Sequence, residues 1–149
     1  KPDWKNFLTA AGAVFNADNT AVLNFGNPAH ERSVAATGHI LCNLSHLGLI
    51  AAHGADTQSF LQSQLTNDAR EVSATRSQLS GYCNAKGRLL AIFRIFQRGE
   101  TVYLQFPQEL LQPTLKRLRM FVMRAKTTLD DATDSVVRIG FAGPQAETT

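Results

Sequence analysis

This chain of 149 residues has few of the features that define disulfide-rich, zinc-binding or membrane-spanning proteins. Its two cysteines, Cys42 and Cys83, form no Cys-x-x-Cys pair and have no histidines at the spacing of a zinc site. We predict two reduced, largely buried thiols, with a disulfide or a reactive thiol as the alternatives. The longest apolar segment, His39 to His53, is interrupted by polar side chains and falls short of the roughly 18 residues that cross a bilayer. These absences predict a soluble, cytoplasmic protein.

Glycine and proline are also scarce, with 10 and 5 residues in no repeat, which excludes collagen-like and low-complexity classes. Apolar residues make up 44% of the chain and charged residues 18%, as is typical of a globular protein. The length suits one domain, or one domain with the start of a second. A chain of this size buries about 68–70% of its unfolded surface, so it needs no disulfide or metal to fold.

Sequence motifs of the common catalytic classes are missing as well. The chain has no Gly-x-Ser-x-Gly elbow, no Walker A loop and no dinucleotide-binding glycine pattern. Asp130 and Asp131 are adjacent carboxylates without an evident third oxygen ligand, so we predict a solvated turn there rather than a cation site. We expect no catalytic residue and no metal ligand. The four histidines stand singly, without the spacing of a metal site: His30, His39, His46 and His53.

Positive charge is concentrated in one region, residues 86–126. This region has nine lysines and arginines against two glutamates, whereas the whole chain carries a net charge of +3. Such a surplus favours an anionic partner, and the alternative is a set of solvated helix and strand faces. The segment from Lys86 to Phe93 begins like an RNA-recognition strand, but Arg88 and Leu90 occupy the positions where aromatic rings would stack on bases. We therefore expect no such module, although RNA phosphates could still contact the basic region.

Hydrophobic spacing and turn residues predict an α+β fold, with a mainly antiparallel sheet, helices on one face and a split β-α-β (ferredoxin-like) element. We predict a short helix over Trp4 to Ala11 and, from Leu47 onward, the order β-α-β-β-β-α-β-β. Asp56 is predicted to cap the first helix of this series, and Pro107 to start the second. The turn Ala85-Lys86-Gly87 is predicted to join two strands, with Gly87 at positive φ. The predicted strands are 40–44, 47–52, 78–84, 88–97, 101–106, 127–129 and 136–141.

Three segments are predicted along the chain. Residues 1–39 form an N-terminal lead-in, in which Gly26-Asn27-Pro28 is a turn signal. Residues 40–143 form the main domain. Residues 144–149 are predicted to be the start of a truncated following segment, because Gly143-Pro144 is typical of the start of a helix and few residues follow it.

Two stretches together resemble the YgfZ-type branch of the aminomethyltransferase-related folate-binding family. The first runs from Gly48 through Gly54-Ala55-Asp56 to Thr66-Asn67-Asp68, and the second runs from Gly81 through Arg88 into Arg94-Ile95-Phe96. By itself Thr66-Asn67-Asp68 is typical of a helix end whose side chains bond to nearby backbone. The order and spacing of both stretches carry the resemblance, which covers roughly residues 40–145 well and the first 40 weakly.

The resemblance implies one lobe of a three-lobed, ring-like molecule with tetrahydrofolate in its central channel. It also implies an accessory role in iron–sulfur cluster assembly or repair, with iron–sulfur enzymes, including those that modify tRNA, as clients. Folate is a flat heterocycle with an anionic tail, and it needs an apolar slot with a few polar groups and cations. We predict that Asn67, Asp68 and Asn84 supply polar contacts and that Lys86 and Arg88 face the tail.

The resemblance also indicates a departure from aminomethyltransferase chemistry. Counted from Gly87, the position of the family's catalytic aspartate is Ala91, followed by Ile92, and alanine cannot orient or transfer a proton. We therefore expect tetrahydrofolate binding without aminomethyl transfer. Two alternatives stay open: a folate-dependent aminomethyltransferase, and a non-enzymatic RNA or protein interaction module that uses the basic region 86–126.

Overall fold

The computed structural model describes residues 2–144 and 146. The chain divides into two compact units: the described residues of 1–46 together with those of 134–149, and Leu47–Thr133. The helices are α1 (Pro2–Ala10), α2 (Pro28–Thr37), α3 (Thr57–Gln64) and α4 (Leu111–Val122). The strands are β1 (Val14–Phe15), β2 (Val22–Asn24), β3 (Ile40–Asn43), β4 (Leu47–His53), β5 (Gln78–Cys83), β6 (Leu89–Arg98), β7 (Thr101–Pro107), β8 (Thr128–Asp131) and β9 (Ile139–Ala142).

The first unit contains two small antiparallel pairs, β1 with β2 and β3 with β9. The predicted turn at Gly26-Asn27-Pro28 begins a helix that the sequence pattern did not predict. The Asn27 side chain accepts a hydrogen bond from the backbone N–H of His30 at 3.1 Å, and Pro28 occupies the first turn of α2, where its missing N–H costs nothing. Asn27 is thus an N-cap as well as a turn residue.

Strand β3 belongs to this first unit, since Ile40 pairs with Ala142 and Asn43 with Ile139. The second unit therefore starts at Leu47 and ends at Thr133, within the predicted 40–143 domain. A pairing between residues about a hundred positions apart leaves no local signal in the sequence. The predicted following segment, 144–149, lies largely outside the described residues.

The second unit is a five-stranded antiparallel sheet with the strand order β5-β6-β7-β4-β8. Strands β7 and β8 both pair antiparallel with β4, which lies between them, and α4 connects them. This arrangement is a split β-α-β element. The α+β fold class predicted from the sequence is confirmed.

The core of this unit lies between one face of the sheet and helices α3 and α4. We call this the inner face, and we call the opposite one the outer face. Aromatic rings mark its centre, where Tyr82 and Phe93 stack with centroids 6.3 Å apart and Phe93 meets Phe106 edge to face at 4.8 Å. The other buried members include Ile50, Phe60, Leu61, Ile95, Leu104, Leu111, Leu115, Leu118 and Leu129.

Three local expectations were wrong, each because a longer-range contact replaced a local one. Pro107 ends β7, and a short 3-10 turn over Gln108–Leu110 precedes α4. Asp130 and Asp131 lie in strand β8 and not in a turn, because their backbone groups pair with β4. Asp56 stands at the start of α3 but makes no capping hydrogen bond with its side chain. Its carboxylate is bound instead to the backbone N–H of Lys126.

Candidate functional site

The β5–β6 hairpin turn carries three of the five residues predicted to contact folate. Asn84 shapes this turn, because its side-chain oxygen accepts the backbone N–H groups of Lys86 at 2.9 Å and Arg88 at 3.0 Å. Gly87 takes φ 73°, as predicted, and its N–H donates to the Asn84 carbonyl. The amide oxygen of Asn84 is therefore used in holding the hairpin closed.

Lys86 and Arg88 project from this turn as exposed cations. Within residues 2–144 and 146, their side chains form no hydrogen bond or ion pair. Exposed cations without an intramolecular partner are available to an incoming carboxylate. Arginine has the better geometry for it, since its guanidinium can donate two parallel hydrogen bonds.

Asn67 lies in a segment that runs antiparallel along the edge of β5. Leu65 bridges to Tyr82, and the Thr66 N–H donates to the Gly81 carbonyl at 3.0 Å. The Asn67 N–H donates to the Ser80 hydroxyl at 3.0 Å, and its side-chain amide donates to the Leu79 carbonyl at 2.6 Å. Because β5 is an edge strand, this segment satisfies backbone groups that would otherwise be open to another strand. Asn67 thus has a structural role.

Asp68 forms a local ion pair with Arg70. The guanidinium donates to both carboxylate oxygens, at 2.8 and 2.7 Å, and the Arg70 N–H donates to one of them. The hydrogen bonds from the Arg70 side chain and backbone, which outweigh the other influences, lower the pKa of Asp68 to about 2. Its carboxylate is therefore already engaged by a cation of the same turn.

The five predicted residues fall into two groups at opposite ends of β5. Asn67 and Asp68 adjoin its first residues, while Asn84, Lys86 and Arg88 follow its last one. At about 3.3 Å per residue, the strand separates the groups by roughly 16 Å. The hairpin turn therefore offers two free cations, and the other end of β5 is a structural junction.

The outer face of the same hairpin presents an apolar patch that the sequence analysis did not single out. Leu79, Leu89 and Ile92 are each more than half exposed, at 53, 56 and 52%. Ile92 pairs with Gly81, and Leu79 pairs with the exposed Arg94. We call these five residues the outer-face patch. A strand with one solvated face normally alternates apolar and polar residues. The unbroken apolar run 89–93 departs from this alternation, and it could have indicated an exposed apolar patch.

Gly81 allows Leu89 and Thr66 to pack closely in the middle of this patch. A Cβ at Gly81 would lie 3.0 Å from Leu89 Cδ1 and 3.2 Å from the Thr66 hydroxyl. The Gly81 N–H also donates to that hydroxyl at 2.8 Å. A side chain here would push apart the hairpin and the edge segment that covers β5.

Ala91, the position compared with the aminomethyltransferase aspartate, and the next residue, Ile92, lie on opposite faces of β6. Ala91 is 4% exposed and belongs to the apolar core, whereas Ile92 faces outward and is 52% exposed. A carboxylate at 91 would be buried without a partner, and the accessible position, 92, has an aliphatic side chain. Neither can orient or transfer a proton.

The basic residues of the region 86–126 lie on different elements of the second unit. Lys86 and Arg88 lie at the hairpin turn, while α4 carries Arg117 and Arg119 on the other side of the sheet. Arg119 is used internally, donating from Nε to the Leu129 carbonyl at 2.8 Å and pairing with Asp130 at 3.2 Å. The surplus of charge thus divides into a hairpin group and a helix group.

The first unit has a cleft of about 510 Å³ between β2, α2 and β3. Its walls include Leu23, Phe25, Arg32 and Leu41, together with the free, half-buried Cys42. None of the five predicted folate-binding residues lines this cleft. The second thiol, Cys83, is likewise free and half-buried at the end of β5, so both thiols are less buried than predicted.

Over 2–144 and 146, none of the helices has the length and apolar character needed to span a membrane. In the same part of the chain, no three or more histidine, cysteine or acidic side chains gather where they could hold a metal ion.

Comparison with known proteins gives sequence relatives and a structural neighbour. The chain is 34% identical over 122 residues to the tRNA-modifying protein YgfZ of Yersinia pestis, strain Pestoides F. This match covers 80% of the chain and 37% of that protein. It is 31% identical over 106 residues to the protein of the same name from Colwellia psychrerythraea, covering 71% of the chain and 32% of that protein. No protein-family model matches the chain.

A solved structure similar to the chain is the glycine cleavage system aminomethyltransferase T of Bartonella henselae. The TM-score is 0.77 at 21% sequence identity, over 96% of this chain and 40% of that one. This likeness shows a shared fold. The chain thus spans about two fifths or less of the length of these proteins, and the resemblance drawn from the sequence is confirmed.

Proposed function

Because this chain is homologous to part of the YgfZ proteins, we propose that it is part of a cytoplasmic, tetrahydrofolate-binding accessory protein. The protein would serve iron–sulfur cluster assembly or repair, with iron–sulfur enzymes that modify tRNA among its clients. The name of the relatives supports the link to tRNA modification. The cluster and client parts of the proposal rest on the family resemblance.

The observation that carries the folate part is the outer-face patch beside the cationic hairpin turn. Leu79, Leu89 and Ile92 offer an apolar surface on which a pterin ring can lie, and the lack of a side chain at Gly81 lets Leu89 pack closely between them. Ligand sites typically combine such an apolar surface with a small number of fixed polar groups. Apolar burial, at about 25 cal/mol per Å², would supply most of the affinity.

Lys86 and Arg88 are suited to the glutamate tail. They are exposed, and their side chains are not engaged elsewhere in the described part of the chain. An exposed carboxylate–cation contact contributes only about 0–1 kcal/mol, so each contact alone is weak. A tail of several glutamates could bind both cations and would gain more than a single glutamate.

The chemistry of β6 favours binding over aminomethyl transfer. An aminomethyltransferase of this fold would need an acidic group facing the bound folate, and position 92, which faces the patch, is Ile92. The aminomethyltransferase alternative is therefore weaker. It predicts ammonia release from an aminomethyl carrier in the presence of tetrahydrofolate, which the proposed function does not.

The direct test is isothermal titration calorimetry of the full-length natural protein with 5-formyltetrahydrofolate. We expect saturable binding that Ile92→Asp weakens at least tenfold, because a carboxylate would replace the apolar contact. The matched control is Leu23→Asp, at another exposed leucine of the chain, which should leave the affinity unchanged. No binding by the wild type, or equal losses in both variants, would refute the proposal.

A further inference from the structure

The solvent side of α4 ends in a cluster of exposed apolar side chains. The opposite side of the helix buries Leu111, Leu115 and Leu118. Met120, Phe121 and Met123 are 61, 45 and 87% exposed. Large apolar side chains that are exposed together, and not scattered singly, mark interaction surfaces.

Phe121 is held in place by its neighbour one turn earlier. The Arg117 guanidinium lies over the Phe121 ring, with its central carbon 5.8 Å from the ring centroid. Arg117 is half-buried, and its charge also acts on Tyr82, whose phenol pKa is raised by burial while Arg117 opposes that rise. The Phe121 ring is therefore positioned by Arg117, whose side chain packs against the core.

Met123, the residue directly after α4, has a backbone conformation that favours glycine. Its φ is 44°, one of two positive values among the non-glycine residues of the described chain. Helices commonly end in a glycine at such a position, since a Cβ there is strained. The chain instead has a methionine whose side chain points into solvent, and backbone strain of this kind is concentrated at functional sites.

Along the chain, the charged residues that flank the apolar cluster are all basic. Lys116 lies one turn before Met120, and Arg124 and Lys126 follow Met123. No acidic residue occurs between Glu109 and Asp130. The surface thus combines an apolar centre with a cationic rim.

We propose that this surface, defined by Met120, Phe121 and Met123 with Lys116 and Arg124 at its rim, docks an acidic amphipathic helix of a partner protein. Flexible methionines adapt to a helical apolar face, as surfaces that bind amphipathic helices do. Asp and Glu beside that apolar face would complement the rim. A single-stranded nucleic acid fits less well, because it needs a succession of stacking rings and this surface has one. The surface lies on the helix side of the sheet, so the inference is independent of folate binding at the outer-face patch.

To test this, the photo-cross-linking amino acid p-benzoylphenylalanine replaces Met120 in the full-length natural protein, and the protein is irradiated inside its cells. The cross-linked peptides are then identified by mass spectrometry. We expect a peptide of another protein in which apolar residues recur at helical spacing beside Asp and Glu. The double variant Lys116→Glu/Arg124→Glu should reduce the cross-link at least fivefold. The double variant Arg76→Glu/Arg98→Glu reverses two exposed cations elsewhere and should leave it unchanged.

Four outcomes would overturn the inference. They are a cross-link to RNA, a cross-link within the same polypeptide, a captured peptide without acidic amphipathic character, and a yield no higher than with the cross-linker at exposed Gln112. A synthetic copy of the captured peptide, labelled with a fluorophore, supplies a second measurement. Its anisotropy should report binding to the wild type and at least fivefold weaker binding to Phe121→Ala.

Discussion

Asp56 and Lys126 form a reciprocal pair of hydrogen bonds. Oδ2 of Asp56 accepts the backbone N–H of Lys126 at 2.7 Å, and the backbone N–H of Asp56 donates to the Lys126 carbonyl at 3.1 Å. The pair joins the start of α3 to the segment between α4 and β8. Close by, the hydroxyls of Thr57 and Thr127 are hydrogen-bonded at 2.8 Å in the buried interior. These four residues link helices α3 and α4 on the inner face of the sheet.

This link between α3 and α4 requires Gly54, and Gly54→Ala should destabilise the protein by at least about 3 kcal/mol. Gly54 has φ 125°, and a Cβ there would overlap the Lys126 carbonyl oxygen. The matched control is Gly99→Ala at φ 58°, where a Cβ meets nothing within 4 Å. It should cost only about 1–2 kcal/mol of conformational strain. Urea unfolding measures both, and equal losses would mean that the contact with Lys126 is unimportant.

The Asp68–Arg70 pair should contribute a small pH-dependent stability. The pKa of Asp68 is about 2 in the folded protein and 3.8 ordinarily, so the folded state favours the carboxylate. This contribution is complete above the unfolded pKa and is lost as the pH falls from about 4 to about 2.

Asp68→Asn should therefore be less stable than the wild type at pH 6, with a difference that disappears by pH 2. Urea midpoints over this range measure the effect, with Asp134→Asn, an exposed aspartate, as the control. A difference that stays constant across the range would contradict the pairing.

Substitution by aspartate at two adjacent positions of β6 tests which side chain faces the accessible surface. Ala91→Asp places a carboxylate in the apolar core and should destabilise the protein by about 2–5 kcal/mol. Ile92→Asp acts on the exposed face and should cost only about 1 kcal/mol, through lower strand propensity. Denaturant unfolding of both variants measures the difference. The reverse order of stabilities would mean that β6 has the opposite orientation.

Charge reversal at the hairpin turn tests the tail contacts. Lys86→Glu/Arg88→Glu should weaken binding of polyglutamylated tetrahydrofolate more than of the monoglutamyl form, because only the longer tail reaches both cations. Titration calorimetry with both ligands measures the ratio. The control is Arg76→Glu/Arg98→Glu, which changes the same amount of charge at the other end of the hairpin. Equal losses for the two ligands would exclude a tail contact at Lys86 and Arg88, even if the pterin binds elsewhere on the patch.

The α+β class, the order of elements from Leu47 and the buried side of α4 could be predicted because they depend on neighbouring residues. Apolar residues at helical spacing predicted the buried side of α4, which Leu111, Leu115 and Leu118 confirm. The hairpin turn at Ala85-Lys86-Gly87 was predicted for the same reason, since turn chemistry is local. Helix α2 was missed because a turn signal was read without the cap that Asn27 provides.

The roles of individual polar residues were less predictable, because a polar side chain has many candidate partners. Asn67 was predicted as a ligand contact, and the structure uses it to cover the edge of β5. Asn84 was given the same role, and its oxygen closes the hairpin turn. For Lys86 and Arg88, which have no such partner in the described part of the chain, the prediction still stands.

The sequence by itself determined the helices and strands from Leu47 onward, the fold class and the family resemblance, since all of these follow from local spacing and residue type. Only the tertiary structure decided that Asp56 binds Lys126, that Ile40–Asn43 pairs with Ile139–Ala142, and that Ile92 rather than Ala91 faces outward. Pairings between residues 70 or more positions apart depend on how the whole chain packs, which short segments do not encode. The facing of β6 depends on register, and a shift of one residue exchanges its two faces.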